Sequence, residues 1–222
     1  MAGTYPWPHD GPPRKEETAL IAIDMQRDFC AEGGWVDQLG EPIANTAAAI
    51  PGVARALTLA RAAGFAVIHT REGHRASLAD LNPVKRWRTR AHGLGIGDTG
   101  AEGGVLVRGA PGHNLVAACA AHDGELVIDK PGKSAFFATA LDHHLRSSGV
   151  RNLIVCGVTS DCCVQSTVRD AADLGYDALL LSDATAAVES AHHAGMLAIF
   201  NAHGGRWGAV ATLAHLRDAL AL

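Results

Sequence analysis

A surplus of basic charge is missing from this chain. Nineteen lysines and arginines stand against 23 aspartates and glutamates, a formal net charge of −4. A nucleic-acid binder needs a cationic face to meet phosphates, so that class is set aside. The one locally basic stretch, Lys85, Arg86, Arg88 and Arg90, reads as a solvated or interface loop. Long apolar runs are missing as well. No uninterrupted stretch approaches the roughly 20 residues that span a bilayer. The first 20 residues lack the apolar core of a secretory signal. The expectation is a cytoplasmic protein with neither nucleic acid nor membrane as partner. There is no C-x-x-C pair either. The five cysteines are Cys30, Cys119, Cys156, Cys162 and Cys163, an odd number with two adjacent members. That spacing suits neither a disulfide framework nor a zinc knuckle. Reduced thiols, the rule in the cytosol, pack as small hydrophobes unless one serves as a nucleophile. Nucleotide loops are also lacking. Gly95 to Gly100 satisfies G-x-G-x-x-G, but no convincing strand precedes it and no convincing helix follows. Neither a P-loop nor a G-x-S-x-G elbow occurs.

What is present fits one α/β domain. At 222 residues, 48% hydrophobic and 19% charged, the chain can bury a core without a disulfide or structural metal. Residues 1–17 form an arm with Pro6, Pro8, Pro12 and Pro13 around Trp7, expected to pack on a neighbouring surface. Residues 18–222 form the domain. Short apolar runs at Ala19–Ile23, Phe65–Ile68, Leu126–Ile128, Leu153–Cys156, Ala178–Leu181 and near Trp207–Val210 read as strands. Helical patterns lie between them: Asn45, expected as a cap, to about Ala63; Thr139, another cap, to about Ser148; Ser160 or Asp161, either a cap, to about Leu174; and Ser190 to Phe200. A last helix follows. Residues 71–104 show weak periodicity, the mark of a long functional loop. Continuous apolar strands alternating with helices predict a three-layer α/β/α fold with a six-stranded, mostly parallel, Rossmann-like sheet.

Ligands of open α/β sheets bind beyond the carboxyl ends of the strands. Three such ends carry reactive side chains: Asp24, Lys130 and the turn leading to Cys163. Cys163 falls after a strand and at the start of a helix, where partial positive charge favours a thiolate. Cys162 competes for the role, but adjacent helical positions point about 100° apart, so one of the two should face the site. Packing remains the alternative use of either thiol.

The stretches ALIAIDMQRDFC, HTREGHRASLADLNPVKRWR, VIDKPGKSAFFAT, CGVTSDCCVQSTVRDAADLGY and HGGRWG, with TYPWPHDG in the arm, resemble the isochorismatase-like cysteine hydrolases. Within them, the arm and the TREGHR…KRWR segment resemble the biuret and triuret hydrolases. The resemblance implies an Asp24–Lys130–Cys163 triad, the nucleophile being the cysteine directly before Val164. It implies a cis peptide between Val158 and Thr159, which would aim the Thr159 and Cys163 N–H groups at one oxyanion. The implied reaction is C–N bond cleavage in a small ureide, triuret or biuret, through a thioester and without cofactor. Ureidoacrylate or another carbamoyl or amide substrate is the alternative. A catalytically silent binding protein is the opposite reading. A homotetramer is implied too, with the arm as a candidate to cross between subunits. Phe29 matches an aromatic wall of the pocket; of Phe136 and Phe137, which follow the Lys130 turn, one, taken as Phe136, is expected to line it while the other packs; and Arg71, Glu72 and His74 fall in a loop placed to cover the site. His203, where biuret-type members present Gln, is expected to touch substrate. Related nicotinamidases carry Asp-x-His and a further His for a metal. Here Glu72-Gly73-His74 is followed by no histidine through Leu81, so no metal is expected.

Overall fold

The computed structural model describes residues 4–221. In chain order the elements are β1 (Thr18–Ile23), α1 (Arg27–Cys30), α2 (Trp35–Gln38), α3 (Ala44–Ala62), β2 (Ala66–Glu72), α4 (Pro83–Ala91) and the small hairpin β3 (Thr99–Gly100) and β4 (Gly103–Gly104). There follow β5 (Leu126–Lys130), α5 (Leu141–Ser147), β6 (Asn152–Val158), α6 (Gln165–Asp173), β7 (Asp177–Ala186), α7 (Ser190–Asn201), β8 (Ala209–Ala211) and α8 (Leu213–Leu220). Six strands form one sheet in the order β5-β2-β1-β6-β7-β8, and every pairing is parallel.

The sheet is buried on both faces because its strands are apolar on both. Leu20 and Ala22 of β1 pack with Val53 and Leu57 of α3 and Leu216 of α8. Ala19, Ile21 and Ile23, the alternate residues, pack with Leu145 of α5, Val168 of α6 and Phe200 of α7. This is the expected three-layer architecture. Strand order reverses between β1 and β6, a topological switch point at which such sheets bind ligands. Gly157 brings these two strands together there. Its φ of +111° suits glycine, and a Cβ would collide with the Ile23 carbonyl.

Several local expectations change. Strand β2 does not stop at Ile68 but runs to Glu72. The weakly periodic stretch contains a helix, α4, which starts where Asn82 accepts a hydrogen bond from the Lys85 N–H and Pro83 fills the first turn. Asn45 caps nothing; its amide instead donates to the Val188 carbonyl. Neither Ser160 nor Asp161 caps a helix, because Ser160–Val164 is a π-helical turn that leads into α6. The arm packs on its own chain. The Tyr5 hydroxyl donates to an Asp177 oxygen (2.7 Å), and the Trp7 indole N–H donates to the Asp177 carbonyl (3.0 Å).

Candidate active site

Four neighbouring strand ends build one cluster. Lys130 ends β5, Glu72 ends β2 directly opposite it in register, Asp24 follows β1, and Cys163 lies in the turn after β6. Asp24 has a left-handed φ of 49°, a conformation that aspartate tolerates better than most residues and that gathers at functional sites. Thr70 of β2 donates to its Oδ1 (2.7 Å), and Lys130 Nζ lies 2.7 Å from Oδ2. Gln26 clamps Glu72 from both sides, donating to its carbonyl (3.0 Å) and accepting from its N–H (2.7 Å). Thr167 of α6 holds the Cys163 turn, donating to the Cys163 carbonyl (2.8 Å) while accepting from the Ala135 N–H (2.9 Å).

Glu72 is fully buried and stands at the centre. Lys85 Nζ reaches its Oε1 at 2.5 Å, Lys133 Nζ reaches both oxygens at 3.1 Å, and Lys130 Nζ lies 3.9 Å away. The Cys163 thiol donates to its Oε2 at 3.4 Å. Burial alone would raise the Glu72 pKa, but Lys133, Lys130 and Lys85 hold it far below the usual carboxylate range. Burial likewise opposes the charge on Lys130, yet Asp24, Cys163 and Glu72 keep it well above an ordinary lysine. The hydrogen bond with Cys162, burial, Asp24 and Glu72 push the Cys163 thiol up, against the pull of Lys130. The Cys162 thiol, half-buried, is drawn down to about 7 by its bond with Cys163 and by Lys133.

Asp24, Glu72 and Cys163 offer ligand-type atoms within 4.8 Å of one another. Three ammonium groups already surround those atoms, so a divalent cation would meet like charge there. The donor set does not fit a metal.

The cis peptide between Val158 and Thr159 is present, directly before the turn that carries Cys163. Glu72, expected in a covering loop, is instead a strand residue inside the cluster, and His74 is buried with its Nε2 3.0 Å from Lys85 Nζ. The remaining expected residues have partners elsewhere. Arg71 points to the other side of β2 and binds Asp129 at 2.8 Å. Phe29 packs edge-on against Trp35 in the core (6.2 Å between ring centres), and Phe136 stacks on Tyr176 (5.7 Å). His203 is exposed in a turn ahead of β8, and Gly208 at the end of that turn meets Ala178 at the amino-terminal end of β7. It lies at the opposite rim of the sheet from Cys163, so this chain does not bring it to its own cluster. Sequence reasoning missed Gln26, Thr70, Lys85 and Lys133. Lys133 alone had a signal, three residues after Lys130 in the same turn.

The sequence pattern of the isochorismatase domain matches residues 18–213. A ureidoacrylate amidohydrolase RutB of Azorhizobium caulinodans is 34% identical, the match covering 93% of this chain and 91% of that protein. The protein of the same name from Pantoea ananatis is 34% identical over 92% of this chain and 82% of its own length. These relatives bear the ureidoacrylate name, not the biuret or triuret name that the sequence motifs suggest. Among solved structures, a cysteine hydrolase from Pseudomonas syringae pv. phaseolicola aligns with a TM-score of 0.79 at 26% identity, covering 95% of both chains. An isochorismatase family protein from Desulfovibrio vulgaris aligns at 0.75 with 32% identity, covering 95% of this chain and all of that one. With the domain pattern, these relatives and the shared fold in agreement, the chain belongs to the isochorismatase-like cysteine hydrolase family.

Proposed function

We propose that this chain is an amidohydrolase that cleaves a C–N bond of a ureido group, with Cys163 as the nucleophile. The observation that carries the reading is a buried thiol within 4.8 Å of the Asp24 carboxylate, which Lys130 holds at 2.7 Å. Asp24 takes the thiol proton as sulfur attacks the ureido carbonyl. The Thr159 and Cys163 N–H groups receive the oxyanion. Asp24 returns its proton to the departing amine, leaving a carbamoyl thioester on Cys163. Water, deprotonated by Asp24, then releases carbamate, which decays to carbon dioxide and ammonia. Glu72 does not share the base role. Its ionised form is too strongly favoured, and it acts as a fixed acceptor for ureido N–H donors. The steps use no cofactor.

A ureido acid of the ureidoacrylate type is the first substrate reading, supported by the names of the relatives. Triuret and biuret are the second, supported by the abundance of N–H groups that they would offer Glu72. The exposed side chains of Val84, Trp87 and Phe137 favour a homo-oligomer, which sedimentation of the purified chain checks. Ammonia release from ureidoacrylate, triuret, biuret and nicotinamide, with Cys163→Ser as control, tests the reading. Release from a ureido compound that the control lacks is expected. No release from any ureido compound, or full activity in the control, contradicts it.

A further inference from the structure

Three ammonium groups, Lys85, Lys130 and Lys133, converge on two carboxylates, Asp24 and Glu72. This largely buried group thus carries an excess of one positive charge. Its effect shows on Lys85, whose pKa is pulled down by burial and by repulsion from Lys133 and Lys130, against the pull of Glu72. Beside the group lies a cleft of about 340 Å³ whose walls include Lys85, Arg88, Lys133, Ser134 and Phe137, with Asp170 the acidic residue among them. Lys133 belongs to both places. Its ammonium touches the buried Glu72 while its side chain is 43% exposed. Two short contacts, 3.1 Å from Lys133 Nζ to Glu72 and 3.4 Å from Glu72 to Cys163 Sγ, join the cleft to the nucleophile.

We infer that this cleft is the subsite for the carboxylate of a ureido acid, with Lys133 as its counter-ion and Arg88 as a guiding charge at the rim. The inference rests on the ureido-hydrolase reading and chooses between its two substrate classes. Lys133 Nζ and Cys163 Sγ both touch Glu72 Oε2, so a short ureido acid can set its carboxylate on the one and its carbonyl on the other. That carboxylate supplies the missing negative charge. Neutral triuret and biuret supply none and leave the excess positive charge of the group uncompensated. Asp170 works against the anion, and the three cations outweigh it.

The test compares 3-ureidopropionate with its primary carboxamide, an uncharged compound of nearly the same shape. Values of kcat and KM are measured on the wild-type chain, Arg88→Gln and Lys133→Gln. The wild type is expected to favour the acid by about tenfold or more in kcat/KM, mainly through KM. Arg88→Gln is expected to raise KM for the acid about threefold and so to lower the acid-to-carboxamide ratio by that factor. Lys133→Gln is expected to bring the acid-to-carboxamide ratio close to one. If Lys133→Gln does not fold, Arg88→Gln decides alone, since its side chain is exposed. Equal use of acid and carboxamide by the wild type, or a ratio that neither substitution moves, overturns the subsite and leaves the ureido reading standing. Failure of the wild type to hydrolyse either compound, or any ureide, removes that reading and the subsite with it.

Discussion

Glu72 touches Lys85, Lys133 and Cys163 at once, and its removal separates structure from chemistry. In Glu72→Ala the ammonium groups of Lys85 and Lys133 lose their carboxylate, and breaking such a buried pair costs roughly 3–5 kcal/mol. Urea unfolding of that variant should show a loss of this size, with ammonia release close to background. Unchanged stability would mean that the lysines find other partners. Asp24 directly follows an apolar run, Lys130 follows one after a single residue and Cys163 falls in the turn beyond a third, and the family motifs then made the three legible as a triad. Glu72 was not legible, because the apolar run of β2 ends at Ile68 and the last four residues, His69, Thr70, Arg71 and Glu72, are polar. They stay in the strand because each has a buried or ionic partner: Glu125, Asp24, Asp129 and Lys85. Such partners are distant in sequence, and a one-dimensional pattern does not contain them.

Short elements set the positions of these side chains. Helix α4 holds Lys85 against Glu72, and its first turn depends on the Asn82 cap. Asn82→Ala should lower stability by about 1 kcal/mol, read from the denaturant midpoint, and reduce kcat more than an exposed cap elsewhere would. No such effect would show that Lys85 is placed by its own bonds. The start of this helix was readable in Asn82-Pro83. Its body was not, because Arg86, Trp87 and Arg88 face solvent and leave no apolar stripe. At the nucleophile the pattern gave a helix start, and the chain forms a wider π turn. Gly157 is the other fixed point. Gly157→Ala forces the ends of β1 and β6 apart, so a lower melting temperature together with lost activity is expected. Wild-type behaviour would mean that the close approach is not needed.

Across the whole molecule, the sheet order puts Asp24 and Cys163 on either side of the switch point, with Glu72 and Lys130 on the next two strands. This layout follows from six apolar runs separated by helical patterns, and so the fold was readable early. The arm illustrates the limit: its prolines and Trp7 announced packing, but its anchor is Asp177, an acidic residue at the start of β7 without any motif. Acid should loosen the fold in a defined window. Burial, aided by Arg71 and Arg108, pulls the His113 imidazole from 6.5 down to about 4, while Asp129 opposes. Burial also lowers His69 and His74. Between those two pH values the unfolded chain binds a proton that the folded chain refuses. Stability therefore rises with pH across the window and falls on acidification through it. Melting temperatures should be level above pH 7 and decline below about 6.5, less steeply in His113→Gln. A level profile down to pH 4 would contradict the burial of a neutral His113.

The central claim is that Cys163, and not its neighbour Cys162, carries the acyl group. Rapid acid quenching during turnover of a ureido substrate, followed by mass analysis of the peptide that holds both cysteines, tests it directly. The account predicts a carbamoyl adduct on that peptide in the wild type and in Cys162→Ser, and none in Cys163→Ser. An adduct that persists in Cys163→Ser and vanishes in Cys162→Ser would contradict it.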